Sequence, residues 1–205
     1  MEAFIHGILL AFGLILPLGA QNIFVFNQGA LQPNFFKALP VIIMASVCDT
    51  ILITLAVLGV SMIVFSFSWL QTIVFGIGFI FLIYMGWTIW KSKPSKEEEV
   101  RKKLSAKRQM TFALSVSLLN PHAILDTVGV IGTNSISYTG VNKLAFALAC
   151  IIVSWLWFFS LAIAGRILGK VDTSGKLIMM LNKLSAVIIW VVAIYIGREF
   201  TDSLF

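Results

Sequence analysis

Long apolar runs interrupted by very few charges constrain this chain more than any other feature. Between Ala38 and Phe65, for instance, the only charged side chain is Asp49. A helix needs about 20 apolar residues to cross the hydrocarbon of a bilayer. Six stretches meet that length: about Ala3–Phe26, Ala38–Phe65, Trp69–Trp90, Met110–Thr133, Lys143–Leu168 and Lys176–Ile196. Of the 205 residues 59% are hydrophobic and 12% charged, with a mean hydropathy of +0.97. A soluble domain has roughly 45–50% apolar and about 25% charged residues. A water-solvated globule of this size cannot bury so much apolar surface, so the expected class is an all-α integral membrane protein with six transmembrane helices. The first apolar run is long and lacks a basic flank, so it reads as a span and not as a cleaved signal.

Three of the spans are plain and three carry anomalies. In the first, Pro17-Leu18-Gly19-Ala20-Gln21-Asn22 interrupts the apolar run. Proline removes a backbone donor and glycine loosens the backbone, so the helix is expected to break there. The second carries Asp49, with no basic residue nearby in sequence to neutralise it. The fourth carries Asn120, Pro121, His122 and Asp126 within one short stretch. In lipid, broken backbone is tolerated only against protein or a water-filled cavity. An intramembrane carboxylate costs about 2.5–3.5 kcal/mol on insertion scales and usually marks a substrate or ion path. Pro17, Gly19, Gln21, Asn22, Asp49, Asn120, Pro121, His122 and Asp126 are therefore the candidate substrate-binding residues.

Basic residues set the orientation. Twelve lie in the loops after spans one, three and five, with eight of these between Lys91 and Arg108. Only Lys143 and Arg198 mark the other side, so the positive-inside rule puts those three loops in the cytoplasm and both termini outside. The stretch 91–109 is expected to be a short solvated helix, with Ser95 and Glu98 as a capping box and Glu-to-basic pairs at i, i+4. Its basic charge sits between spans, which is not a nucleic-acid pattern. Trp69 and Trp90 read as interfacial anchors, and Trp155 and Trp157 as mid-membrane packing. Lys183 either snorkels outward or pairs with a carboxylate. Cys48 and Cys150 read as small core residues, with neither disulfide nor zinc spacing. Nothing calls for a cofactor or a bound metal.

The two interrupted spans match. Leu16-Pro17-Leu18-Gly19-Ala20-Gln21-Asn22 aligns with Asn120-Pro121-His122-Ala123-Ile124-Leu125-Asp126 through the proline, a small residue two on, and Asn or Asp five on. With three spans per half the halves would be inverted: repeat one about 1–90, loop 91–109, repeat two about 110–205. Interrupted segments at corresponding places in two inverted halves point to a transporter's binding site. The chain therefore reads as a single transmembrane transporter domain built as an inverted 3+3 repeat, with helices one and four interrupted.

These residues resemble the LysE family of bacterial amino-acid exporters. The resemblance rests on Pro17-Leu18-Gly19-Ala20-Gln21-Asn22 with Asn27-Gln28-Gly29, on Asp49 with Leu52-Ile53, on Leu119 to His122 and Leu125 to Thr127, and on Trp155 to Phe159. The homoserine and threonine exporters have Pro-Gly-Pro in the first span, whereas this chain is closer to the lysine and arginine exporters. Ile124 stands where that branch has an aromatic residue. The resemblance implies a dimeric, multi-pass secondary transporter of the bacterial plasma membrane, driven by a proton gradient or the membrane potential. It implies no enzymatic activity.

The chemistry of the candidate residues agrees. Half-helix N-termini offer N–H groups to an amino acid's carboxylate, Asp49 and Asp126 offer charge to its cationic groups, and the carboxamides can satisfy the remainder. Either aspartate could instead carry a coupling proton. Other readings are an exporter of neutral amino acids, a divalent-metal (cadmium-type) transporter using Asp49, Asp126, His122 and Cys48, an intramembrane enzyme using His122 and Asp126, and a membrane scaffold.

Overall fold

A computed structural model describes residues 1–16, 19–59, 68–91, 104–118, 124, 127–171 and 176–202. Pro17, Asn120, Pro121, His122, Asp126 and the Ser95–Glu98 capping box lie outside the described residues. Among those described, every regular element is helical.

The first apolar run forms two helices, α1 (Glu2–Ile15) and α2 (Ala20–Leu31), bent by 81° across the break. A 3-10 turn over Phe35–Ala38 follows, its entry fixed by the Lys37 N–H donating to Asn34 Oδ1 at 3.0 Å. It leads into α3 (Leu39–Val57), with Pro40 in the first turn, where a missing N–H costs little. α3 ends earlier than the apolar run does. Gly59 at φ +76 takes the left-handed position that stops a helix, and Leu58–Gly59 form a turn. Next come α4 (Ser68–Lys91) and α5 (Ala106–Leu118), so helix resumes three residues before the expected end of the polar loop. In the fourth apolar run the described residues are α-helical up to Leu118, and Thr127–Gly132 is wound as a π-helix. The chain closes with α6 (Gly140–Val171) and α7 (Lys176–Asp202), both longer than the apolar runs that announced them.

Phe35–Val57 and Gly140–Val171 are each long and apolar enough to cross a membrane, and the bent α1–α2 pair passes the same test as one unit. Contacts along α6 follow this pair in order from α1 into α2. Gly7 meets Phe146, Gly165 meets Phe26, and Gly169 meets Ala30. The contacts advance together on both sides, so α1 and then α2, although the bend inclines them to one another, progress in the direction of α6 over about 34 Å of its axis. That matches the thickness of the hydrocarbon.

Glycine permits this approach. A Cβ on Gly165 would lie 2.0 Å from the Phe26 carbonyl oxygen, and one on Gly29 would lie 2.2 Å from that of Ala162. Lipid offers no hydrophobic drive between helices, so close packing of small residues holds such a seam together. α3 runs parallel to the fourth segment, with Gln109 Nε2 donating to the Lys37 carbonyl at 3.0 Å at one end and Gly132 against Ala56 at the other. α3 and α6 are antiparallel: Val41, Ile42 and Ala45 pack with Phe158, Leu161 and Ala162, while Ile53 and Val57 pack with Phe146 and Cys150. α4 and α7 are antiparallel too, with Gly86 against Trp190 and Phe79 against Gly197.

Candidate functional site

The site begins at the break in the first span. A continuous helix would give the Ile15 carbonyl a backbone N–H; here Asn22 Nδ2 donates to it at 3.0 Å. Asn22, read from sequence as a substrate contact, thus bridges the interruption with its own side chain. Gly19 caps α2 with extended backbone (φ −73, ψ 175), and no side chain caps this end. Among the described residues, a Cβ built on Gly19 meets nothing within 4 Å. The first-turn N–H groups of a helix have no intrahelical acceptor and carry its positive dipole end.

Asp49 of α3 reaches the same place. Gln21 Nε2, from the first turn of α2, donates to Asp49 Oδ1 at 3.2 Å. Ser154 Oγ of α6 donates to Oδ2 at 2.7 Å. A carboxylate has about four acceptor positions, and among the described residues these two donors fill two of them. Among the described residues no cationic side chain pairs with Asp49. Beside it the Trp155 indole N–H donates to Thr50 Oγ1 at 3.0 Å, and that hydroxyl donates to the Ser46 carbonyl at 2.7 Å. Trp155 is therefore anchored by its N–H.

Of the nine residues singled out from sequence, the structure brings Gly19, Gln21, Asn22 and Asp49 together. Pro17, Asn120, Pro121, His122 and Asp126 are not described. Ser154 and Thr50 were missed. Both are small hydroxyls in apolar helices, and only the partner across the interface distinguishes them. Asn27 and Asn182 were missed as a pair: Asn27 Nδ2 donates to Asn182 Oδ1 at 2.8 Å, linking α2 to α7.

Amides also knot together the end of the bundle that carries the basic loops. Gln32 Nε2 donates to Gln28 Oε1 and to the Leu104 carbonyl, and Gln109 Nε2 donates to the carbonyls of Leu104 and Lys37. The Arg166 guanidinium donates to the carbonyls of Gln32 and Pro33, both at 3.1 Å. At the other end His6 Nδ1 and the Tyr138 hydroxyl lie 2.9 Å apart, with Phe146 against both rings. Cys48 and Cys150 are free and buried. Among the described residues no three His, Cys, Asp or Glu side chains gather as a metal site.

The LysE type translocator family matches residues 12–199. A Bacillus subtilis (strain 168) protein named "Putative amino-acid transporter YisU" is 56% identical over 197 residues, covering 96% of this chain and 90% of that protein. The arginine exporter protein ArgO of Pectobacterium carotovorum is 34% identical over 201 residues, covering 96% of this chain and 97% of that protein. ArgO of Salmonella typhi is 32% identical over 200 residues, covering 96% and 93%. No solved structure matches the chain. Match and relatives alike run almost end to end, through the broken first span and Asp49, and the chain belongs to the LysE type translocator family.

Proposed function

We propose that this protein is a secondary transporter that exports amino acids across the bacterial plasma membrane, with the basic ones, arginine and lysine, as its most favoured substrates. The observation that carries the reading is Asp49, a carboxylate held by two neutral donors beside a helix N-terminus that no side chain caps. That arrangement offers N–H groups and a positive dipole end to a carboxylate and an unpaired negative charge to an ammonium, which is the polarity of an α-amino acid. Relatives at 32–34% identity named as arginine exporters support a second cation on the substrate. Asp126, Asn120, Pro121 and His122 are proposed as the matching half from the fourth span. The proton gradient or the membrane potential would drive export.

An inverted repeat of six spans is proposed as the frame, completed by α4 and α7. Exchanging the halves leaves the packing scheme unchanged: span one runs parallel to five as four does to two, while two and five, and three and six, are antiparallel. Pro17 and Pro121 are 104 residues apart. The two polar contacts between α3 and α6, Asp49 with Ser154 and Thr50 with Trp155, each join residues 105 apart. Residues at equivalent places in two halves touch only where the symmetry axis passes, which would put Asp49 at the centre of the molecule.

The test is uptake of radiolabelled arginine, lysine, threonine and cadmium into inverted vesicles, for the wild type and for Asp49→Asn and Asp126→Asn. Arginine and lysine uptake that both substitutions abolish, with the proteins still in the membrane, is the expected result. Threonine uptake alone would establish the neutral-amino-acid reading, and cadmium uptake alone the metal reading. Wild-type arginine transport by both variants would overturn the carboxylate site.

A further inference from the structure

The ends of α4 and α7 that carry Lys91 and Lys183 hold an assembly with no part in the transport site. Trp190 lies across Gly86 so closely that a Cβ there would sit 2.2 Å from its Nε1, and its indole N–H donates to the Ile83 carbonyl at 3.4 Å. Held in this way, the Trp190 ring touches both Trp87 and Trp90, with centroids 6.5 and 5.5 Å away. Lys91 Nζ stands 4.6 Å from the centroid of Trp87, and Lys183 Nζ stands 5.6 Å from that of Trp90. The antiparallel register sets both ammonium groups at one level on neighbouring helices.

Neither lysine has an ion pair among the described residues, and both are exposed, as are Trp87 at 54% and Trp90 at 40%. Two ammonium groups fixed over indole faces lack a counter-ion among the described residues. Indoles settle at the level of lipid headgroups, lysines snorkel to the same level, and anionic leaflets attract basic clusters there. We infer that these paired ends of α4 and α7 bind the phosphate of an anionic phospholipid headgroup, with Lys91 and Lys183 as its counter-charges and the three indoles as the platform for its glycerol and upper acyl region. The site is independent of the transport reading and stands or falls without it.

The experiment uses the full chain purified in a neutral detergent. Phosphatidylglycerol, phosphatidylcholine and inorganic phosphate are titrated separately, with the melting temperature and native mass spectrometry of retained lipid as readouts. Phosphatidylglycerol should be retained and should raise the melting temperature, while the other two should do neither. Each lysine near an anionic surface contributes roughly fivefold in affinity, so Lys91→Gln with Lys183→Gln should weaken retention about 30-fold. Lys143→Gln, on α6 away from the site, and the charge-keeping Lys91→Arg with Lys183→Arg should both retain the lipid. Equal retention by the double glutamine variant, equal protection by phosphatidylcholine, or loss of binding in the double arginine variant would each overturn the site. Protection by inorganic phosphate matching that by the lipid would make it a free-anion site and overturn the lipid assignment.

Discussion

Replacing Gly165 by alanine tests how the broken span is held. The added methyl would point at the backbone of α2, 2.0 Å from the Phe26 carbonyl oxygen and 2.9 Å from its carbon. Ordinary van der Waals contact begins about 1.4 Å farther out, and no side-chain rotation can relieve a clash with backbone. α2 must therefore move off α6. Overpacking of this kind costs about 1–3 kcal/mol, and a chain of this size loses about 2–4 °C in Tm per kcal/mol. Gly165→Ala should thus melt roughly 2–12 °C below the wild type in detergent. Transport should fall with it, because α2 carries Gln21, whose bond to Asp49 is already 3.2 Å long. An ångström of retreat breaks that bond. Gly13→Ala is the control. Gly13 lies in α1 with nothing within 4 Å of its would-be Cβ, so alanine there should hold or slightly raise stability through helix propensity. Wild-type melting and transport in Gly165→Ala would refute the seam as what seats α2 against Asp49.

Three further outcomes follow from the same geometry. Asn22→Ala leaves the half-buried Ile15 carbonyl without the side-chain donor that bridges the break, and losing a hydrogen bond of this kind costs about 0.5–1.5 kcal/mol; a drop in Tm is expected, and an unchanged Tm would show that the bridge is dispensable. Gly19→Ala should leave Tm unchanged, since any residue adopts its backbone conformation and its Cβ would meet none of the described residues; arginine uptake into inverted vesicles should nonetheless fall, and normal uptake by both Gly19→Ala and Gly19→Val would place the substrate elsewhere. Ser154→Ala removes the 2.7 Å bond to Asp49, a charge-assisted contact of about 1.5–3 kcal/mol; stability and transport should both decline, and Ser154→Thr, which keeps the hydroxyl, should restore them.

What the chain discloses unaided is what lipid makes local. A span must satisfy its own backbone, so apolar length, a proline and a glycine are enough to foresee a first helix broken between Ile15 and Ala20. Asp49 stood out for the same reason: a carboxylate among hydrocarbon residues is conspicuous whatever surrounds it. The family could be read from the residues around these two features. What surrounds Asp49 could not, because Ser154 is one of two serines in a plain apolar helix, and its role exists only through the crossing of α6 with α3. Asn22 stood out as a candidate ligand residue, but its bond to the Ile15 carbonyl could not be foreseen, since that carbonyl loses its helical partner only at the bend. α3 stops at Val57 although the apolar run continues to Phe65, because a single left-handed glycine outweighs hydropathy. Gly7, Gly29, Gly165 and Gly169 carry no recognisable chemistry, yet they set how closely α1 and α2 lie along α6. Between helices in lipid, apolar composition does not discriminate one face from another. Only backbone approach and a few polar pairs do, and these depend on rotation and register that tertiary packing alone decides.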